Sequence, residues 1–139
     1  ALTYVLQNAR TLQVGTEGYS LWGSSAGARM AAAIGSHGTA RFGRPRQPKP
    51  SVVVMAYTGH SEVAVSEPPT FVVVGAQDGI APPAVMQARV AALRRIGTRV
   101  EYHRYPGVGH GFGTGHGTSA QGWIDQAVRF WEKEINRAP

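Results

Sequence analysis

The chain has 139 residues, with 18 glycines, nine prolines, no cysteine and a formal net charge of +6. Hydrophobic residues make up 42% and charged residues 16% of the chain. This balance is typical of a chain that buries a core, and it excludes disordered, collagen-like and disulfide-stapled classes. The longest apolar runs, such as Val52 to Ala56, are far shorter than the roughly 20 residues of a membrane helix. We therefore expect one soluble domain.

The N-terminal residues, Ala-Leu-Thr-Tyr, include no methionine and already follow a helical pattern. No signal pattern of basic, apolar and small residues precedes them. The sequence is therefore interpreted as a piece of a longer protein. The lack of a signal segment favours the cytoplasm, although the absence of cysteine leaves the redox compartment open.

The periodicity predicts alternating strands and helices. In chain order they are a helix over 1–14, a strand over 19–22, a helix over 28–34, strands over 51–57 and 70–75, a helix over 82–97, a strand over 98–105, and a helix from about 119 to 136. The second and third strands are continuous apolar runs, which is typical of parallel strands covered on both faces. The order predicts an α/β fold with a parallel sheet of about four strands. The crossover over 58–69 is too short for a long helix, so we expect it to be abbreviated or irregular.

Gly23-x-Ser25-x-Gly27 lies between a predicted strand and a predicted helix. In that context a tight turn holds a strained serine with its hydroxyl above the sheet, and glycine is expected at both flanking positions. The N-terminus of the following helix also favours developing negative charge. The motif alone is weak in a glycine-rich chain, but its placement predicts that Ser25 is a nucleophile.

A nucleophilic serine needs a base and an acid that orients the base. The chain contains two aspartates, Asp78 and Asp125. Asp78 follows the third predicted strand directly, at the carboxyl end where sites of parallel sheets gather. Asp125 lies inside the last predicted helix, where we expect it to be exposed. Asp78 is therefore the candidate acid.

The candidate base is His110, in the glycine-rich loop between the last strand and the last helix. The flanking glycines allow this loop to turn back toward Ser25. His116 lies in a similar setting and remains the competitor. The order Ser25, Asp78, His110, each after a successive strand, is the order of nucleophile, acid and base in α/β-hydrolases.

These blocks resemble the C-terminal part of an α/β-hydrolase esterase of the acetyl-xylan and feruloyl esterase or hormone-sensitive-lipase-like groups. The matching segments are the elbow at 22–28, the acid turn at 75–78 with the prolines at 82–83, and the histidine loop at 106–112. The resemblance implies a serine esterase or lipase that acts on a small-molecule ester, acetylated or feruloylated carbohydrate among them. It also implies one domain over 1–139 that corresponds to the second half of the family's fold.

In such enzymes the N–H of the residue after the nucleophile, here Ala26, stabilises the oxyanion together with a donor from an earlier loop, often His-Gly-Gly-Gly. That stretch is absent from this sequence. Ser24 and Phe112 are further candidates for substrate binding, although Phe112 is equally well explained as a shield for the histidine loop. The elbow strand would have a free edge, which predicts self-association or an N-terminal partner.

Other functions remain open as alternatives. Oligopeptidase catalytic domains share the same order of the three residues, but they prefer an aromatic residue in the elbow, where Ser24 and Ala26 are small. A non-catalytic fragment that needs a partner is a further alternative. The basic stretch from Arg41 to Lys49 would suggest nucleic acid, but we interpret it as a solvated loop because Phe42 is its only aromatic residue. We expect no metal, cofactor, nucleic acid or membrane partner.

Overall fold

The computed structural model describes residues 1–137. Within this range, four parallel strands form one sheet in the order β1-β2-β3-β4. The strands are β1 (Ser20–Ser24), β2 (Val52–Ala56), β3 (Thr70–Gly75) and β4 (Val100–Tyr105). The helices are α1 (Leu2–Gln7), α2 (Ala9–Leu12), α3 (Ala26–His37), α4 (Pro83–Arg95) and α5 (Trp123–Ile135), with a 3₁₀ turn at Thr39–Phe42. The prediction of a four-stranded parallel α/β fold is confirmed.

The two central strands, β2 and β3, are buried along their whole length. Because side chains of a strand alternate between its faces, each strand supplies two separate packing surfaces. One face packs against α5 through Val52, Val54, Ala56, Phe71, Val73, Trp123, Ala127 and Phe130. The other face packs against α3 and α4 through Val53, Met55, Val72, Val74, Ala28, Ala31, Ala32, Met86 and Val90. The sheet is thus a middle layer between helices, which explains why its strands are continuously apolar.

The first predicted helix is interrupted, so the prediction of one helix over 1–14 was wrong. It breaks at Asn8, whose side-chain amide donates a hydrogen bond to the Tyr4 carbonyl at 2.8 Å. Ala9 is the buried residue of this segment, whereas Val5 and Leu12 are exposed. Short helices gain most of their stability from packing on a core, and here that packing is minimal. The Asn8 side chain shares the Tyr4 carbonyl with the Asn8 N–H, and such sharing weakens a helix that packing supports little.

The last helix also begins later than predicted, at Trp123 instead of about residue 119. Turns precede it, because the Thr118 hydroxyl accepts a hydrogen bond from the Ala120 N–H at 3.1 Å and Gly122 adopts a φ of +87°. Asp125 is exposed in the first turn of α5, as predicted.

The crossover over 58–69 contains neither helix nor strand, as its length predicted. A buried ion pair fixes it, in which Arg89 Nη2 of α4 lies 3.3 Å from Glu67 Oε2. The Arg89 Nε also donates to the Glu62 carbonyl at 2.9 Å, and the Ser36 hydroxyl of α3 donates to Glu67 at 2.8 Å. Both charged side chains are almost fully buried, and a buried charge is costly unless it is paired. These polar contacts hold the crossover, which contains no helix, against α3 and α4.

Of the two glycines in the turn between β1 and α3, Gly23 is crowded by backbone atoms and Gly27 is not. A Cβ at Gly23 would lie closer than 3.0 Å to backbone atoms of Gly27 and Ala28, a separation that real Cβ atoms essentially never show. A Cβ at Gly27 would meet no heavy atom within 4 Å among the described residues. Between them, Ser25 has a φ of +50°, which is unusual for a residue other than glycine. The expectation that glycine is required holds for Gly23 and was wrong for Gly27.

This difference predicts opposite results for two matched substitutions. Gly23→Ala forces backbone atoms apart, and we expect it to lower the free energy of unfolding by about 1–3 kcal/mol or more. Gly27→Ala adds a methyl group in open space and gains helix propensity, so we expect no loss and a gain of up to about 1 kcal/mol. Urea denaturation of both variants measures the two values. Equal destabilisation by the two substitutions would contradict the packing described for this turn.

Candidate active site

Three loops meet at the carboxyl edge of the parallel sheet. Ser25 follows β1, Asp78 follows β3 and His110 follows β4. The Ser25 N–H donates to the Ala56 carbonyl at the end of β2 at 2.9 Å, which ties the turn to the neighbouring strand. Since parallel strands end at the same edge, residues far apart in sequence are brought within contact distance.

The three side chains form one continuous chain of hydrogen bonds. His110 Nε2 lies 2.9 Å from Ser25 Oγ, and His110 Nδ1 lies 2.8 Å from Asp78 Oδ2. The Asp78 side chain is fully buried, and 18% of the His110 side chain is exposed. A hydroxyl, an imidazole and a carboxylate in this arrangement can transfer a proton from the hydroxyl to the imidazole while the carboxylate keeps the ring oriented. The structure thus brings together Ser25, Asp78 and His110.

The Asp78 carboxylate is held by backbone donors as well as by His110. Its Oδ1 accepts the N–H groups of Ile80 at 2.9 Å and Ala81 at 2.7 Å. Burial alone would raise the pKa of Asp78, but the hydrogen bonds from Ala81, His110 and Ile80 outweigh it and lower that pKa below its usual value. Asp78 therefore stays ionised, with one oxygen anchored to its own turn and the other directed at His110.

Gly75, the last residue of β3, allows the histidine loop to approach the acid turn. A Cβ at position 75 would lie closer than 3.0 Å to the carbonyl oxygens of Val108 and Gly109. The Gln77 N–H donates to the same Val108 carbonyl at 2.9 Å. The backbone before His110 thus packs directly on the backbone before Asp78. Sequence reasoning placed Gly75 at the end of a strand and in the acid turn, but it did not predict this contact with the histidine loop.

Ala26 and Ser24 flank Ser25 and are both exposed. Among the described residues, the backbone hydrogen bonds that close this turn begin with the Ala28 N–H, which donates to the Ser25 carbonyl at 3.2 Å. Within residues 1–137 the Ala26 N–H has no acceptor; it lies at the start of α3, where backbone N–H groups favour negative charge. Its position beside Ser25 allows it to donate to an oxyanion.

Phe112 lies partly buried in an aromatic cluster. Its ring centroid is 4.7 Å from that of Tyr57, 6.2 Å from that of Tyr105 and 6.4 Å from that of Trp123. The contacts that the structure gives Phe112 are therefore with the core on the α5 side of the sheet. Tyr57 also contacts His110, at 5.3 Å between ring centroids. Sequence reasoning missed Tyr57, because a tyrosine directly after a buried strand carries no pattern of its own.

The other candidates lie away from these three residues. His116 is exposed and makes no hydrogen bond to Ser25 or Asp78 among the described residues. In the basic stretch, Arg41, Arg44 and Arg46 are exposed, and Lys49 donates to the Ser36 carbonyl at 3.2 Å. A cavity of about 740 Å³ lies between α1 and α3, and Ser25, Asp78 and His110 do not line it.

Within residues 1–137, no group of three or more His, Asp or Glu side chains is arranged to bind a metal ion. Across the same residues, every helix is too short or too polar to span a membrane.

The lowered pKa of Asp78 predicts a pH-dependent contribution to stability. Because the pKa in the folded chain is below the unfolded value of about 3.9, ionised Asp78 stabilises the fold above that value, and the stabilisation is lost as the pH falls through the folded pKa. We expect the parent to be more stable than Asp78→Asn at neutral pH, and the difference to shrink below about pH 4. Urea denaturation of both chains from about pH 7 to about pH 2 measures it.

Asp125→Asn, which removes the exposed carboxylate of α5, is the matched control for the loss of one charge. A difference between the parent and Asp78→Asn that stays constant over the whole pH range would contradict the hydrogen bonds described for Asp78.

Several solved structures are similar to the chain. An α/β hydrolase, MGS-M1 from a Medee basin deep-sea metagenome library, has a TM-score of 0.81 and 23% identity, over 98% of this chain and 62% of its own. The carboxylesterase Cest-2923 from Lactobacillus plantarum WCFS1 has a TM-score of 0.80 and 18% identity, over 99% and 66%. An acetyl ester-xyloside bifunctional hydrolase from Caldicellulosiruptor lactoaceticus has a TM-score of 0.75 and 19% identity, over 99% and 64%. The chain thus spans 62–66% of the length of these structures.

At these identities the likeness establishes the fold, and the predicted resemblance to α/β-hydrolases is confirmed. No curated protein shows significant sequence similarity to the chain. The sequence model of the prolyl oligopeptidase family matches residues 45–138, a segment that contains Asp78 and His110. That segment is more than half of the chain, and we conclude that the protein, with its α/β-hydrolase fold, belongs to the prolyl oligopeptidase family.

Proposed function

We propose that this chain carries the catalytic residues of a serine hydrolase that cleaves carboxylic esters. Ser25 is the nucleophile, His110 the general base and acid, and Asp78 the residue that orients His110. The observation that carries the proposal is the continuous hydrogen-bond chain, with 2.9 Å between Ser25 Oγ and His110 Nε2 and 2.8 Å between His110 Nδ1 and Asp78 Oδ2. The strained φ of +50° at Ser25 supports it, because such strain clusters at active sites.

In the proposed reaction, Ser25 Oγ attacks the ester carbonyl carbon and gives its proton to His110 Nε2. The tetrahedral intermediate collapses, the bond to the alcohol oxygen breaks, and His110 returns the proton to the leaving alcohol. Water then attacks the acyl-enzyme while His110 takes a proton from it, and the acid is released as Ser25 regains its hydrogen. Asp78 keeps its charge throughout and stabilises the imidazolium that forms twice in each cycle.

The Ala26 N–H is the proposed first donor to the oxyanion. The second donor is proposed to come from outside residues 1–137, because the sequence has no His-Gly-Gly-Gly stretch. One oxyanion donor is worth about a hundredfold to a thousandfold in rate. Within the described residues β1 pairs with β2 on one side only, so its other edge is open to a preceding segment, a partner chain or a second copy.

Two observations favour an ester as the substrate. The neighbours of known structure include a carboxylesterase and a hydrolase described as acting on acetyl esters and xylosides. The elbow residues Ser24 and Ala26 are small and exposed, which leaves the approach to Ser25 open. Acetylated carbohydrate is accordingly the ester class we propose to test first.

Peptide hydrolysis is the second candidate function, and the match to the prolyl oligopeptidase family is the observation that favours it. The same three residues serve either reaction, because both proceed through an acyl-enzyme. The leaving group, an alcohol or an amine, is what distinguishes the two candidates.

Replacement of Ser25 tests the catalytic assignment. Because the attacking oxygen is lost, we expect Ser25→Ala to lower kcat/KM for p-nitrophenyl acetate by at least about a thousandfold. Ser66→Ala removes a serine hydroxyl far along the chain, in the crossover, and we expect it to leave the rate unchanged. Turnover by Ser25→Ala at the parent rate would overturn the proposal.

A substrate comparison separates the two candidate functions. We expect the chain to hydrolyse short acyl esters and acetylated xylosides with kcat/KM at least about tenfold above that for a proline-containing peptide amide, because the small elbow residues suit small acyl groups. Parallel assays of the same preparation measure both. A clear preference for the peptide would reverse the order of the two candidates. Activity that arises only after an N-terminal partner is added would assign the second oxyanion donor to that partner.

A further inference from the structure

Tyr57 follows β2 directly, and its ring contacts two rings of the histidine loop. It is 5.3 Å from the His110 ring at an interplanar angle of 75°, and 4.7 Å from the Phe112 ring at 66°. Tyr57 is 8% exposed, so the ring is fixed by its surroundings. Within this arrangement the imidazole of His110 is bounded by Ser25, Asp78 and the ring of Tyr57.

The backbone of Tyr57 is also strained. Its φ is +40°, a value that bulky residues other than glycine rarely adopt. Its N–H donates to the Val73 carbonyl at 2.8 Å, which fixes the strained residue to β3. Strain of this kind persists where the surrounding structure requires it, and it clusters at functional sites. The conformation turns the chain sharply after β2 while the ring packs on the histidine loop.

We propose that Tyr57 is a positioning residue for His110: its ring fixes the plane of the imidazole so that Nε2 stays directed at Ser25 and Nδ1 at Asp78. The inference rests on the proposed function, in which His110 takes the Ser25 proton. Aromatic rings prefer edge-to-face contacts at centroid separations of about 4.5–7 Å. The Tyr57 and His110 rings meet at 5.3 Å and 75°, so rotation of the imidazole out of this plane would lose the contact.

The ring is the active part of Tyr57 in this proposal. Among the described residues, no hydrogen bond involves the Tyr57 hydroxyl, whereas both ring contacts are close. Tyr57→Phe should therefore still position His110, and a non-aromatic side chain of similar bulk should not. Asp78 is the charged group in contact with His110 among the described residues, and it is the same in every variant.

The test compares Tyr57→Phe, Tyr57→Leu and Tyr57→Asn with the parent in the hydrolysis of p-nitrophenyl acetate. We expect Tyr57→Phe to stay within about twofold of the parent, and Tyr57→Leu and Tyr57→Asn to lose about tenfold in kcat with KM within about twofold. Without the ring the imidazole is aligned with both Ser25 and Asp78 for a smaller fraction of the time, which lowers kcat and leaves substrate binding unchanged. Asn adopts the strained backbone more readily than Leu, so a shared loss is attributed to the ring.

Phe130→Leu is the matched control, because it removes an aromatic ring from the same core cluster without contact to His110. Phe130 is 8% exposed, and its centroid lies 5.8 Å from that of Phe71. We expect it to lower stability while kcat stays within about twofold of the parent.

Three outcomes would overturn the proposal. They are an unchanged kcat in Tyr57→Leu, an equal loss of kcat in Phe130→Leu, and a loss of kcat in Tyr57→Phe as large as that in Tyr57→Leu. Ser25→Ala, measured in the same assay, shows whether such a result concerns the role of Tyr57 alone or the proposed function itself. If Ser25→Ala is inactive while Tyr57→Leu matches the parent, only the role of Tyr57 is wrong.

Discussion

The carbonyl oxygens of Val108 and Gly109 occupy the space where a side chain at position 75 would lie, so β3 has to end in glycine. This close backbone packing joins the histidine loop to the acid turn before any side chain of the site is considered. It places His110 beside Asp78, and the hydrogen bond from the Gln77 N–H to the Val108 carbonyl holds the two segments in register. The proposed chemistry requires an imidazole in one orientation, and these backbone contacts fix the loop that carries it.

Other parts of the fold hold the segments around this contact in place. The parallel sheet brings the ends of β1, β3 and β4 to one edge, and the buried pair of Arg89 and Glu67 holds the crossover that leaves β2. Tyr57 directly precedes that crossover and packs on His110. Burial of the Arg89–Glu67 pair is costly unless the pairing is maintained, which favours a single conformation of the crossover. The nucleophile turn, the acid turn and the histidine loop thus follow strands of a sheet that apolar packing holds on both faces, while the ion pair fixes the crossover between β2 and β3.

The sequence predicted the parallel fold and the three residues that meet at the sheet edge, because strand patterns, a Gly-x-Ser-x-Gly turn and chain order are local signals. It did not predict the break at Asn8, which depends on how little of the first helix is buried. Nor did it predict the contact between the Tyr57 and His110 rings or the requirement for glycine at position 75. Both depend on segments that are distant in sequence and meet only after folding. The expectation for Gly27 was wrong for a related reason, because a motif does not show which of its glycines faces a crowded backbone.

Membership of the prolyl oligopeptidase family and likeness to esterase structures agree on the fold but differ on the substrate. The central claim of the proposed function is activation of Ser25 by His110, which both candidate substrates require. Reaction of the intact chain with a fluorophosphonate, followed by mass spectrometry of its peptides, tests that claim most directly. The account predicts a single adduct on Ser25 and its loss in His110→Ala. An adduct on another residue, or equal labelling of Ser25 in His110→Ala, would contradict it.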